Sequence, residues 1–139
     1  MTNWNPRREG EFSEPQFIQS VDDVIYVSGS TIQSYFIKAL DSKTGRVKNW
    51  KPSIPLIQRT DALQAMAVSN DLAFLGFLNP EGPALLAFDR LTGAPQKDWN
   101  SLDQQLKDKG VSSLSIYESK LFMGIVDSSD TGALAIQEL

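Results

Sequence analysis

The sequence predicts an all-β chain made of tandem copies of one unit of four short antiparallel strands, and three observations predict it. Segments recur at a step of 48 positions: Tyr26, Phe74 and Phe122 occupy equivalent places in "IYVSG", "AFLGF" and "LFMGI". At the same step Ala39, Asp41, Thr44 and Gly45 return as Ala87, Asp89, Thr92 and Gly93. The three tryptophans, Trp4, Trp50 and Trp99, stand in the similar contexts "NWNP", "NWKP" and "DWNS". Self-similarity at a period of roughly 20 to 50 residues marks a repeat architecture.

The first unit reads as strands at 16–21, 24–29, 35–41 and 46–52, with "DD" and "SKTG" as its tightest turns. The second reads as "LQAMAVS" (63–69), "LAFLGFL" (72–78), "ALLAFD" (84–89) and "PQKDWN" (95–100). Alternation with aromatic and branched content argues for strands, and "ND", "NPEGP" and "RLTG" are turn chemistry. The third gives 111–117, 120–127 and 132–138, where "ALAIQEL" stands in for "ALLAFDR" and Ala135 follows Ala87 by the same step. The divisions expected are 1–6, an outer strand of a preceding unit; 12–52; 60–100; and 110–139, which lacks its outer strand. That makes twelve strands, and four antiparallel strands in each repeat of 40 to 50 residues is the signature of a β-propeller blade.

The recurring residues have a physical task. Asp41 and Asp89 are placed to accept hydrogen bonds from backbone two or three residues on, Thr44 and Thr92 to close the turn, and Gly45 and Gly93 to supply a positive φ. Trp50 and Trp99, and Trp4 before them, fall on an outermost strand, where the ring can lie against the neighbouring unit and the indole N–H can reach a carbonyl. Burial of such a ring contributes roughly 2 to 4 kcal/mol. These nine residues are therefore read as structural.

Composition narrows the chemistry. The 139 residues are 41% hydrophobic, enough for a sizeable core in one domain. A net charge of −4 provides no basic field for nucleic acid or an anionic membrane surface. No run approaches the eighteen or so apolar residues of a bilayer span, and "MTNWNPRREG" has no apolar leader core. The chain has neither histidine nor cysteine, which removes a Ser-His-Asp triad, a thiol nucleophile and a disulfide framework. No catalytic, cofactor-binding or metal residue is expected.

The A-x-D-x-x-T-G…W pattern resembles the tryptophan-docking repeat of pyrroloquinoline-quinone-type propellers, and the "WNP" ending is similar to bacterial surface or secreted propeller repeats. The resemblance covers nearly the whole chain and implies blades. It also suggests a secreted or cell-surface setting. The glycine-to-tryptophan gap departs from those enzymes, being five at Gly45 to Trp50 and six at Gly93 to Trp99. Quinoprotein enzymes also hold their quinone beside a cysteine pair that this chain lacks, so the cofactor does not carry over.

Propellers ordinarily have four to eight blades, so three blades' worth of strands implies completion from elsewhere. The completing blades come from the rest of a longer chain or from a second copy, whose third blade the strand carrying Trp4 would finish. Binding is expected on the long loops at 5–15, 51–62 and 100–110, with "GSTIQS", "NPEGP" and "SSDT". "PRRE" reads as a solvated charge cluster, "SLDQQLKDK" as a surface connector capped by Ser101, and "DSSDTG" as a hairpin turn rather than a calcium loop. The function expected is a non-catalytic module binding protein or glycan, the alternatives being a fragment of a quinoprotein-type oxidoreductase and a purely structural assembly unit.

Overall fold

The computed structural model describes residues 14–30, 35–52, 63–78, 84–96, 106, 108–127 and 132–139. They form nine strands and no helix: β1 (Glu14–Val21), β2 (Val24–Ser30), β3 (Tyr35–Asp41), β4 (Leu63–Val68), β5 (Leu72–Phe77), β6 (Leu85–Asp89), β7 (Lys109–Tyr117), β8 (Lys120–Asp127) and β9 (Gly132–Glu138). Three antiparallel sheets result, ordered β1-β2-β3, β4-β5-β6 and β7-β8-β9. The chain is all-β, and the described residues form no closed barrel or ring.

Each sheet opens with a tight hairpin. Asp22 (φ 53°) takes the left-handed turn between β1 and β2, and Glu118 and Ser119 (φ 47° and 62°) do so between β7 and β8, as a two-residue turn matched to strand twist requires. The middle hairpin uses a hydroxyl instead. Ser69 Oγ accepts from the N–H groups of Asp71 and Leu72, at 3.2 and 2.9 Å.

A bulge recurs in the first strand of every sheet at Gln16, Gln64 and Ser112, where pairing shifts register against the second strand. These positions are 48 apart. Opposite them stand Ser28, Gly76 and Gly124. At Gly76 a Cβ would lie 2.7 Å from Val111 Cγ1, so glycine there is what lets β7 seat against the second sheet.

The sheets pack face to face through two apolar layers. Between the first and second sit Tyr26, Ile37, Ala39, Ala73, Leu75, Phe77 and Phe88; between the second and third sit Phe74, Leu85, Ala87, Val111, Leu121, Met123 and Ile125. A smaller cluster of Val27, Phe36 and Leu40, with Val47 against it, forms on the outer side of the first sheet. Backbones of neighbouring sheets come closest at their first strands, β1 beside β4 and β4 beside β7, while the third strands stand farther apart. The layers therefore fan out from the β1, β4, β7 side.

Two expectations need correction. The fourth strand at 46–52 is not formed: after the turn the chain makes one bridge, Leu40 to Val47, with the bonds Asp41 N–H to Arg46 O and Lys48 N–H to Ala39 O. At the second repeat the bridge is Phe88 to Pro95, and residues 97–100 of the expected strand lie outside the described residues. After the first of these bridges Trp50 N–H closes back onto Lys48 O, so the chain leaves the ladder and carries Trp50 toward the next sheet.

The second correction concerns β9. Tyr26 pairs with Ala39 and Phe74 with Ala87, so the step of 48 would pair Phe122 with Ala135. Instead Phe122 pairs with Ile136 and Ala135 with Met123. A slip of one residue exchanges the faces of a strand: Ala135 turns toward the second sheet, and Leu134 and Ile136 turn away from it. The cross-bonds between strand ends follow suit. Ser42 N–H reaches Asp23 O and Arg90 N–H reaches Asp71 O, but it is Leu139 N–H, one residue late, that reaches Ser119 O.

Candidate functional site at the sheet junctions

The recurring D-x-x-T-G residues lie at the ends of β3 and β6 and form one hydrogen-bonded turn twice. Asp41 Oδ1 accepts from the N–H groups of Lys43 (2.8 Å) and Thr44 (2.9 Å), and Thr44 Oγ1 accepts from Arg46 N–H (3.3 Å). Asp89 Oδ1 accepts from the N–H groups of Leu91 and Thr92, both at 2.8 Å, and Thr92 Oγ1 accepts from Ala94 N–H. Gly45 (φ 73°) and Gly93 (φ 78°) return N–H bonds to the carbonyls of Asp41 and Asp89. The N–H groups of Thr44 and then Lys43 hold the Asp41 carboxyl below its ordinary pKa, and those of Thr92 and Leu91 do the same for Asp89.

Trp50 links this turn to the preceding sheet. Its indole Nε1–H donates to Asp89 O at 3.3 Å, and its buried ring meets Tyr26 edge-on with centroids 5.5 Å apart. The chain that follows it lies directly over the second turn. A Cβ on Gly93 would come within 2.9 Å of Lys51 O, so Gly93 is required both by its φ and by this crossing. Trp4 and Trp99 lie outside the described residues.

A side chain that the repeat pattern does not single out completes the junction. Arg90 follows Asp89 where the first repeat has Ser42, and its side chain is only 10% exposed. Its Nε–H donates to Asn70 O at 2.6 Å and its Nη2–H to Asp22 Oδ2 at 2.9 Å, and it also hydrogen-bonds the Tyr26 hydroxyl. One guanidinium thus holds two hairpin turns and the ring against which Trp50 packs. Burial raises the Tyr26 pKa, and the Arg90 bond and charge pull against it. The signal available in the sequence was an arginine in place of a serine at one position of the repeat.

Gln19 adds a second bond between sheets. Its amide donates to Val68 O at 3.0 Å and accepts from Val68 N–H at 3.1 Å, tying β1 to the end of β4.

Beside these hairpins lies a pocket of about 350 Å³, lined by Val21, Val68, the Ser69–Leu72 turn, Ile116, Ser119 and Leu139. It sits at the end where the first and second strands of each sheet join. The long loops favoured by sequence lie largely outside the described residues, as do "PRRE", Ser101 and the middle of "DSSDTG". Of the connector before β7, Leu106 is buried and its carbonyl accepts from Lys109 N–H at 2.9 Å. The pocket's polar groups are hydroxyls, amides and one carboxylate, suited to hydrogen-bonding a neutral polar ligand. Among the described residues, no three of His, Cys, Asp and Glu converge as metal ligands. No helix among the described residues is long and apolar enough to cross a membrane. No protein-family model matches the chain, and no curated protein matches it.

Proposed function

We propose that this chain is a non-catalytic scaffold or binding module of the propeller type, in which each three-stranded sheet, the first two with a short fourth-strand stub, is a blade. The observation that carries this reading is the fan of sheets: first strands side by side, third strands apart, and an indole from one repeat bonded to the turn of the next. The blades resemble those of pyrroloquinoline-quinone-type repeats, and the ligand class is a protein or glycan.

Two measurements test the reading. Class averages from electron microscopy are expected to show radial lobes about an axis, and a straight stack of sheets would overturn the propeller. Screening of the full chain on glycan and protein arrays is expected to give saturable binding without turnover. Quinone-dependent oxidation by the chain would overturn the non-catalytic reading.

A further inference from the structure

Gln19 shows how this fold satisfies the free edge of a first strand. The turn between β4 and β5 is closed by Ser69 and Leu72, with Ser69 N–H donating to Leu72 O at 2.8 Å. Bonding alternates along an antiparallel pair, so the next pair inward, Val68 with Ala73, turns its N–H and C=O groups away from the ladder. Val68 therefore offers a donor and an acceptor side by side at the free edge of β4. The Gln19 amide takes both, at 3.1 and 3.0 Å.

Ile116 stands 48 positions after Val68 and pairs with Leu121, one step inward from the Tyr117–Lys120 pair that closes the turn between β7 and β8. Its N–H and C=O groups leave the ladder on the free edge of β7 in the same way. The residue placed to serve them as Gln19 serves Val68 is Ala67, 48 after Gln19, and alanine has no polar side chain. Among the described residues nothing off the ladder bonds them. Val68 and Ile116 both line the pocket of about 350 Å³ beside the hairpins, so the unserved edge lies where a ligand has room. Val21, Leu72 and Leu139 give this pocket apolar walls.

The Gln19 contact also narrows the ligand chemistry. A primary carboxamide carries an N–H on the same side as its C=O and can answer the donor and the acceptor of one residue together. A trans secondary amide, whether a peptide bond or an acetamido group, has its N–H and C=O on opposite sides and makes only one of the two bonds. A carboxylate has no donor for the carbonyl. Resting on the module reading above, we infer that the pocket binds the side-chain carboxamide of a glutamine or asparagine on a partner peptide. Its oxygen accepts from Ile116 N–H and its amino group donates to Ile116 O, as Gln19 does at Val68. The apolar walls take the aliphatic stem.

Amide NMR spectra of the full chain, titrated with acetyl-glutamine N-methylamide, test this. The Ile116 amide signal is expected to shift and saturate. The corresponding glutamate probe and the probe methylated on its side-chain amide are expected to bind at least about tenfold more weakly, since each loses one of the two bonds. Gln19→Ala is expected to add a second response at Val68, because it frees the equivalent edge. No shift at Ile116, or equal binding of the three probes, overturns the inference. N-acetylglucosamine saturating the same signal as strongly overturns it too, and marks a glycan site. So does a Gln19→Ala chain that keeps its β-rich circular dichroism and gives no response at Val68; if that variant loses its fold, the wild-type titrations decide alone. The arrays keep the two readings apart. Saturable array binding without a carboxamide response sinks this site and leaves the module standing, whereas absence of both removes the module reading as well.

Discussion

The second and third sheets share a strand plan and a bulge position, yet β6 and β9 sit in different registers. β6 ends in Asp89, whose carboxylate gathers two backbone N–H groups and whose carbonyl takes the indole of Trp50. β9 reaches the equivalent place with Glu138. Its edge is held by Lys120 and Glu138, 3.9 Å apart and exposed, a contact of small worth. The difference teaches that the spacing of the repeat does not by itself set a register. The strand's own sequence does not fix it, because its alternation of apolar residues permits either setting.

The largest loss should follow from removing what docks on the second turn. Trp50→Ala is expected to cost about 3 to 5 kcal/mol, since it deletes a buried ring at the junction. Urea unfolding monitored by circular dichroism measures it. Trp50→Phe keeps a ring against Tyr26 and loses the bond to Asp89 O, so its cost should be near 1 kcal/mol. Equal losses from the two variants would mean that the indole bond, and not ring burial, carries the docking.

Arg90 comes next. Arg90→Met keeps much of the stem and leaves Asn70 O and the Tyr26 hydroxyl without their donor, an expected cost of about 1 to 3 kcal/mol. Asp22→Asn at the other end of the same contact touches a side chain that is 71% exposed and should change stability by less than about 0.5 kcal/mol. Denaturation midpoints of the two variants decide whether Arg90 acts as a buried donor to two turns or as one half of a surface ion pair.

Gly93→Ala sharpens the comparison further. An added methyl meets both an unfavourable φ of 78° and the Lys51 carbonyl, so a loss of roughly 1 to 3 kcal/mol is expected. Thermal melting provides the readout, and a neutral result would show that the 50–52 segment does not lie over the turn.

Much of this was legible in the sequence because the chemistry is local. A carboxylate, a threonine and a glycine in fixed order leave few turn geometries open, and two-residue turns such as "DD" and "ND" between strand-like runs mark hairpins. The third strands were legible for the same reason, but the fourth were not. Their place in the repeat suggested strands, while the turn of Trp50 N–H onto Lys48 O takes the first of them off the ladder after one bridge. For β9 the sequence offers two settings, since "ALAIQEL" stands 49 after "ALLAFDR" while Ala135 stands 48 after Ala87, and Ala133, Leu134, Ala135 and Ile136 are all apolar, so both faces fit a core. Arg90 was hidden because its partners come from two hairpins, at Asp22 and Asn70, that only folding brings beside it.

The smallest effect separates the two turns from the third sheet by pH. Asp41 and Asp89 have folded-state pKa values below their ordinary value, because the ionised carboxylates accept backbone N–H bonds. A group depressed in this way contributes stability that is fully present above its unfolded pKa and is lost as pH falls through the folded one. The stability of the wild-type chain should therefore decline on acidification from the usual aspartate range downward. In Asp41→Asn with Asp89→Asn that part of the decline should be missing, because an amide oxygen accepts the same bonds at every pH. Amide exchange measured across the same range is expected to speed first at the ends of β3 and β6, with β9, which ends in Glu138 and not in such an aspartate, following a shallower course. Identical acid profiles at all three strand ends would show that these carboxylates do not hold the strand ends.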